Sequence, residues 1–212
     1  LSANEAGDHF GAALAAGDFD GDGKDDLAVG APDEMSFAIA RAGQAFVFRS
    51  GATGLAPWIS LYSNSGVGAP AVVDGRFGRS MIAGDLNGDG KDDLIIGRDH
   101  HQTTGSALTE HAGQLFLFRG TTGGPAAWGL LDQTGIGSNE AGDDLGKALA
   151  IGDLDGDGRA DLVAGAPGEA PGTGAEDAGY AFAFRGKAST TLPTAWTGFS
   201  QQKSGCTPSW PT

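Results

Sequence analysis

Oxygen-bearing side chains recur at one fixed spacing in three places. The segments read Asp18-Phe19-Asp20-Gly21-Asp22-Gly23-Lys24-Asp25-Asp26, Asp85-Leu86-Asn87-Gly88-Asp89-Gly90-Lys91-Asp92-Asp93 and Asp153-Leu154-Asp155-Gly156-Asp157-Gly158-Arg159-Ala160-Asp161. Acids or amides stand at the first, third, fifth and ninth positions of each, and a glycine at the sixth, where the chain must turn sharply. Alternate side chains that all carry oxygen can wrap a hard cation. The backbone carbonyl at the seventh position (Lys24, Lys91, Arg159) completes the shell. Six or seven oxygens, with no nitrogen or sulfur, point to Ca²⁺, one ion per loop and three per chain. An EF-hand is excluded, because it needs a bidentate Glu at position 12. Val29, Ile96 and Ala164 stand there instead, inside short apolar runs closed by glycine that read as strands. One Asp-Gly-Asp-Gly is an ordinary solvated turn. Three copies with the same ligand pattern call for a common cause.

The rest of the composition agrees with cation loops on a β framework. The 212 residues carry a formal charge of −14, and thirteen of the 27 acids lie within the three loops. No basic patch exists to neutralise phosphates, which argues against nucleic acid and against anionic membrane surfaces. No apolar run approaches the ~20 residues of a membrane-spanning helix, so no membrane insertion is expected. The chain opens on Leu1-Ser2-Ala3-Asn4 without a Met or a leader, as a processed or excised segment would. Cys206 is the single cysteine and has no internal disulfide partner. Calcium loops of modest affinity suit millimolar calcium, so the expected location is extracellular, secreted or at the cell surface.

The loops are spaced by 67 and 68 residues, which defines a long repeat. The predicted units are 1–64, 65–134 and 135–203, followed by a linker-like tail, 204–212, that holds Cys206. Each unit has four strand-like pieces. The first is small and apolar (11–17, 78–84, 146–152). The second follows the cation loop. The third alternates Phe (Phe46 and Phe48, Phe116 and Phe118, Phe182 and Phe184) and closes on Arg49, Arg119 or Arg185, so each Phe pair shares one sheet face. The fourth begins at Trp58, Trp128 or Trp196, residues expected to pack between units rather than to stack on sugars. Helical periodicity is absent. Four short antiparallel strands with glycine punctuation describe a β-propeller blade, so the expected fold is all-β with three blades.

The chain resembles the FG-GAP repeats of integrin α-subunit propellers. Phe10-Gly11 with Gly30-Ala31-Pro32 carries the motif in the first unit, and Leu145-Gly146 with Gly165-Ala166-Pro167 in the third. The second has Phe77-Gly78 but Gly97-Arg98-Asp99, so its Gly-Ala-Pro turn is lost. The resemblance implies an extracellular propeller with calcium between the first and second strands. It also implies a protein or glycan ligand on the opposite rim, formed by loops 33–42, 98–112 and 168–178 with inter-blade loops 1–9, 64–76 and 137–144. Three blades cannot close a ring, which needs four to eight. Closure to six by homodimerisation is the expectation, with another chain or a larger propeller as alternatives.

Other chemistry is thin. His100, His101 and His111, with Asp99 and Glu110, could bind zinc, but the cluster occurs in one unit and matches no ligand spacing. No nucleophile elbow, His-Glu-x-x-His or phosphate loop is present. The sequence thus reads as a non-catalytic calcium module for adhesion or ligand recognition. A glycan-binding lectin-like propeller and an accessory module of a secreted enzyme stand as alternatives.

Overall fold

The computed structural model describes residues 5–98, 112–133, 140–169, 178–188 and 191–200. Strands form wherever the apolar pieces alternate between glycine-rich turns. The first blade holds β1 (Leu14–Gly17), β2 (Asp26–Ala31), β3 (Gln44–Gly51) and β4 (Gly54–Leu61). The second holds β5 (Ser80–Gly84), β6 (Asp93–Arg98), β7 (Gln114–Arg119) and β8 (Ala126–Leu131). The third holds β9 (Ala148–Gly152), β10 (Asp161–Ala166), β11 (Tyr180–Arg185) and β12 (Thr194–Phe199). Each is a four-stranded sheet in sequence order, antiparallel throughout. The described residues form no helix, and no helix is long and apolar enough to cross a membrane.

Strand ends differ from the expected ones at two places. β1, β5 and β9 start two or three residues late, because Gly11, Gly78 and Gly146 adopt φ near +90° and turn the chain before pairing begins. The fourth strands start two to four residues before their Trp. The bulge between the third and fourth strands recurs at Val47/Phe48, Leu117/Phe118 and Ala183/Phe184. It lets the fourth strand pair across the irregularity, and it adds local twist to each blade.

The strands β1, β5 and β9 lie side by side at the inner edges of the blades, so two apolar seams hold the three sheets together. At the first seam Phe19, Ala28, Ala45 and Val47 of the first blade meet Phe77, Met81, Leu94, Ile96, Phe116 and Phe118 of the second. At the second, Leu86, Ile95, Leu115 and Leu117 meet Leu145, Leu162, Ala164, Phe182 and Phe184. The alternating Phe residues do share one face. Phe77 sits edge-on to Phe116 and Phe118, with centroids 5.0 and 6.3 Å away.

The glycines of the motif explain why these seams are so close. A Cβ on Gly30 would lie 2.0 Å from the Gly78 carbonyl oxygen, and one on Gly97 would lie 2.6 Å from that of Gly146. The opening glycines of the second and third units, Gly78 and Gly146, therefore sit on the preceding units' closing glycines, and only residues without a side chain allow that approach.

Candidate metal centre

The first aspartate of each loop organises the backbone. Asp18 accepts N–H bonds from Gly21, Asp22 and Gly23 at 2.8–3.0 Å. Asp85 and Asp153 repeat the pattern with Gly88, Asp89 and Gly90 and with Gly156, Asp157 and Gly158. These donors hold the Asp153 carboxyl below the usual carboxylate range, the Gly158 N–H first among them. The loop can fold back this tightly because the sixth residues, Gly23, Gly90 and Gly158, have φ of +84° to +86°. Such a conformation would strain any residue with a Cβ.

This folding-back gathers carboxylates. In the first loop Asp18, Asp20 and Asp22 each place an oxygen within 4.8 Å of the others. In the third, Asp153, Asp155 and Asp161 do so. The middle loop has Asn87 at the third position, and no three-acid group forms there among the described residues. The donor set is all oxygen. Asp26 Oδ2 is buried without a hydrogen-bond partner, a costly state for a carboxylate, whereas Asp20 Oδ2 is buried against the Arg49 guanidinium. The first and third loops thus fit a hard divalent ion, which Asp18, Asp20 and Asp22 or Asp153, Asp155 and Asp161 would hold.

The ninth-position acids have a second task that their spacing does not disclose. Asp26, Asp93 and Asp161 are buried and accept the N–H of Ser50, Gly120 and Gly186 at 2.8–3.0 Å, tying the loop to the end of the third strand. Asp93 and Asp161 also accept from Leu86 and Leu154. Burial pushes the Asp93 carboxyl up to about 7, so without a nearby cation it takes up a proton near neutrality. Asp26 is raised by the same cause. Asp26 lies outside the close three-acid group of its loop, and Asp157 outside that of the third.

Three sets of residues, two at the loops and one on the opposite rim, were not singled out by sequence reasoning. Arg49 pairs with Asp20 and lies 3.7 Å from Asp22 Oδ2, while Arg185 Nε lies 2.6 Å from Asp155 Oδ2. The signal was present, since an Arg closes every Phe-x-Phe run. Asp92 of the middle loop accepts the Asp18 N–H at 3.0 Å and donates its own N–H to the Asp18 carbonyl at 2.9 Å, so one loop clamps the next. On the opposite rim, Asp143 and Glu169 are buried together. Desolvation first, and the Asp143 charge second, push the Glu169 carboxyl up to about 7.

Of the rim loops, 33–42 and 64–76 are described in full. In loop 33–42 Met35 and Phe37 are exposed, and Phe37 leans on Tyr62 with centroids 5.1 Å apart. His9 Nδ1 lies 2.7 Å from Asp33 Oδ2 on the same side. In the middle blade Arg98 fills the slot of the lost Gly-Ala-Pro alanine. It is fully buried, donates to the Pro70 carbonyl and to Gln114 Oε1 at 2.9 Å, and stacks on Phe116. Desolvation lowers its pKa to about 10, still charged at neutral pH. The candidate zinc residues His100, His101 and His111 with Asp99 and Glu110 lie outside the described residues, as do the tail cysteine Cys206 and most of loops 98–112 and 168–178.

Comparison with known proteins agrees with this geometry. The FG-GAP repeat model matches residues 10–48 and 145–184, and an FG-GAP-like repeat model matches 85–164. The chain belongs to the FG-GAP repeat family. Integrin alpha-PS2 of Drosophila melanogaster is 30% identical over 60% of this chain, and human integrin alpha-X is 32% identical over 80%. Phosphatidylinositol-glycan-specific phospholipase D of Rattus norvegicus is 32% identical over 78%. Among solved structures, the Bacillus licheniformis rhamnogalacturonan lyase covers 91% of the chain at a TM-score of 0.53 and 15% identity. Rhamnogalacturonan lyase YesW covers 93% at 0.50 and 17%. These two likenesses concern the fold. The FG-GAP chain spans 9–19% of the length of those curated relatives and about a third of the lyase chains.

Proposed function

We propose that this FG-GAP chain is a non-catalytic, calcium-stabilised recognition module that works outside the cell. It would hold one Ca²⁺ in each of three loops and present the opposite rim to a protein or glycan ligand. The observation that carries the calcium reading is the convergence of carboxylate oxygens in two loops, Asp18, Asp20 and Asp22 in the first and Asp153, Asp155 and Asp161 in the third. The millimolar calcium outside cells suits loops of this kind. The exposed Met35 and Phe37 beside Tyr62 support the rim as the contact surface. Removing calcium should lower the melting temperature. At calcium about 100-fold above the dissociation constant, each site adds roughly 2.7 kcal/mol. A calcium-loaded sample whose melting curve is indifferent to excess chelator would overturn the assignment.

A second reading is favoured by the relatives. A phospholipase D specific for phosphatidylinositol-glycan and lyases that act on rhamnogalacturonan share the repeat or its fold. This chain would then bind glycan, or serve as the accessory module of a secreted enzyme. A glycan array separates the readings: strong selective signal favours the lectin role, and its loss in Phe37→Ala would place the glycan at the 33–42 loop.

The end blades also support association with a second copy. Phe10 and Leu14 are 53% and 61% exposed, whereas their counterparts Phe77 and Met81 are buried at 0% and 9% against the preceding blade. Leu154 is 51% exposed, whereas Phe19 and Leu86 are buried at 0% against the following one. Each end thus carries one half of a seam that the chain builds twice internally. Two copies would place the third blade of each against the first blade of the other, closing six blades with two-fold symmetry.

A further inference from the structure

The guanidinium groups beside the cation loops sit on tryptophan platforms, and their pairing follows the charge of one loop position. The Arg49 guanidinium carbon lies 5.4 Å from the centre of the Trp58 ring, and that of Arg185 lies 4.8 Å from the centre of Trp196. Each reaches from there to the third residue of its loop, Asp20 or Asp155. Those two side chains are only 1% and 7% exposed. In the middle blade the third residue is the neutral Asn87, whose amide donates to Asp93 Oδ1 at 3.3 Å instead. A buried carboxylate needs a fixed partner, whereas a buried amide is satisfied by an ordinary hydrogen bond.

We propose that Arg49 on Trp58 and Arg185 on Trp196 are positioning residues for the cation, holding the third-position carboxylate turned into the loop. A planar, weakly hydrated guanidinium stacked on an indole has few orientations left, so the carboxylate it grips has few as well. Two effects then oppose each other. The positive charge repels a cation in the loop, and the fixed carboxylate orientation favours it. Arg49 and Arg185 side chains are 46% and 37% exposed, so solvent and salt screen the repulsion. Partners that orient a metal ligand typically contribute ten- to a hundredfold in affinity, so orientation wins.

The inference rests on the calcium reading of the loops, and its test separates the two. Calcium is titrated into the full chain by calorimetry while tryptophan emission is followed. Arg49→Met and Arg185→Met should each weaken one of the sites about tenfold or more, and should reduce the calcium-dependent change in emission from the platform they uncover. Arg49→Lys keeps the charge without the flat stack and should not restore affinity. Arg119→Met, in the blade with neutral Asn87, should leave all sites unchanged. Should Arg49→Met fail to fold, Trp58→Leu and Arg185→Met give the same comparison. Unchanged or tighter calcium binding in the Met variants, or full rescue by Lys, overturns the proposal. A wild-type chain that takes up no calcium overturns the calcium reading itself.

Discussion

At the scale of single residues, the loops divide their acids between two kinds of work. First-position aspartates shape the backbone, and ninth-position aspartates tie the loop to the third strand. On the proposed calcium reading, Asp153→Ala should therefore remove one bound ion and also loosen its loop, seen as one fewer ion by calorimetry. Retention of all ions would refute the role. Glu169 adds a pH response of its own beside that of Asp93. Glu169 is buried with Asp143, and near Glu140 and Gln133, so its folded carboxyl titrates at about 7 instead of 4.5. A raised pKa favours the protonated folded form. Its contribution is present below about pH 4.5 and lost as pH rises toward 7. Against Glu169→Gln, which stays neutral, the wild type should lose melting temperature between pH 4.5 and 7.5. Parallel curves for the two proteins would refute this.

At the scale of elements, the decisive fact is how near one blade lies to the next. The Gly30 α-carbon faces the Gly78 carbonyl with no room for a methyl group, whereas a Cβ on Gly165, in the third blade, finds its nearest neighbour at an ordinary 3.5 Å. Gly30→Ala must push backbone from backbone and should cost on the order of 1–3 kcal/mol. Gly165→Ala should cost far less in the isolated fold. Urea denaturation of the two variants measures the difference, and equal losses would contradict the close approach. The same logic explains the middle repeat. It replaces Ala-Pro with Arg98-Asp99 yet keeps Gly97, because the seam needs the missing side chain and Arg98 packs into the slot with its own acceptors.

At the scale of the whole molecule, the exposed apolar residues of the first and third blades bear on the proposed pairing with a second copy. Phe10 and Leu14 at one end and Leu154 at the other are exposed, whereas their counterparts at the two internal seams are buried. Closure by a second copy predicts a particle of about twice 21.2 kDa by light scattering. Leu154→Glu and Phe10→Glu should each convert it to a monomer that keeps its β-sheet circular dichroism. Gly165→Ala, mild within one chain, should weaken the pair, because its position would then face an opening glycine of the partner. A well-folded wild-type monomer at micromolar concentration would exclude the closure.

The amino-acid sequence by itself determined the features that depend on neighbours along the chain. Loop positions one, three, five and nine, the turn at the sixth glycine, the Phe alternation and the order of four strands all follow from local spacing and backbone sterics, and the 67-residue repeat shows them in triplicate. Tertiary structure alone decided what depends on residues far apart. Asp20 meets Arg49 across the blade, Asp18 meets Asp92 across a seam, and Glu169 meets Asp143 after burial removes water from both. The exposure of Phe10 against the burial of Phe77 was equally invisible, since the two motifs are alike in sequence. Spacing encodes which atoms a short segment can gather. Burial and pairing between segments are set by packing, and packing is a property of the assembled sheets.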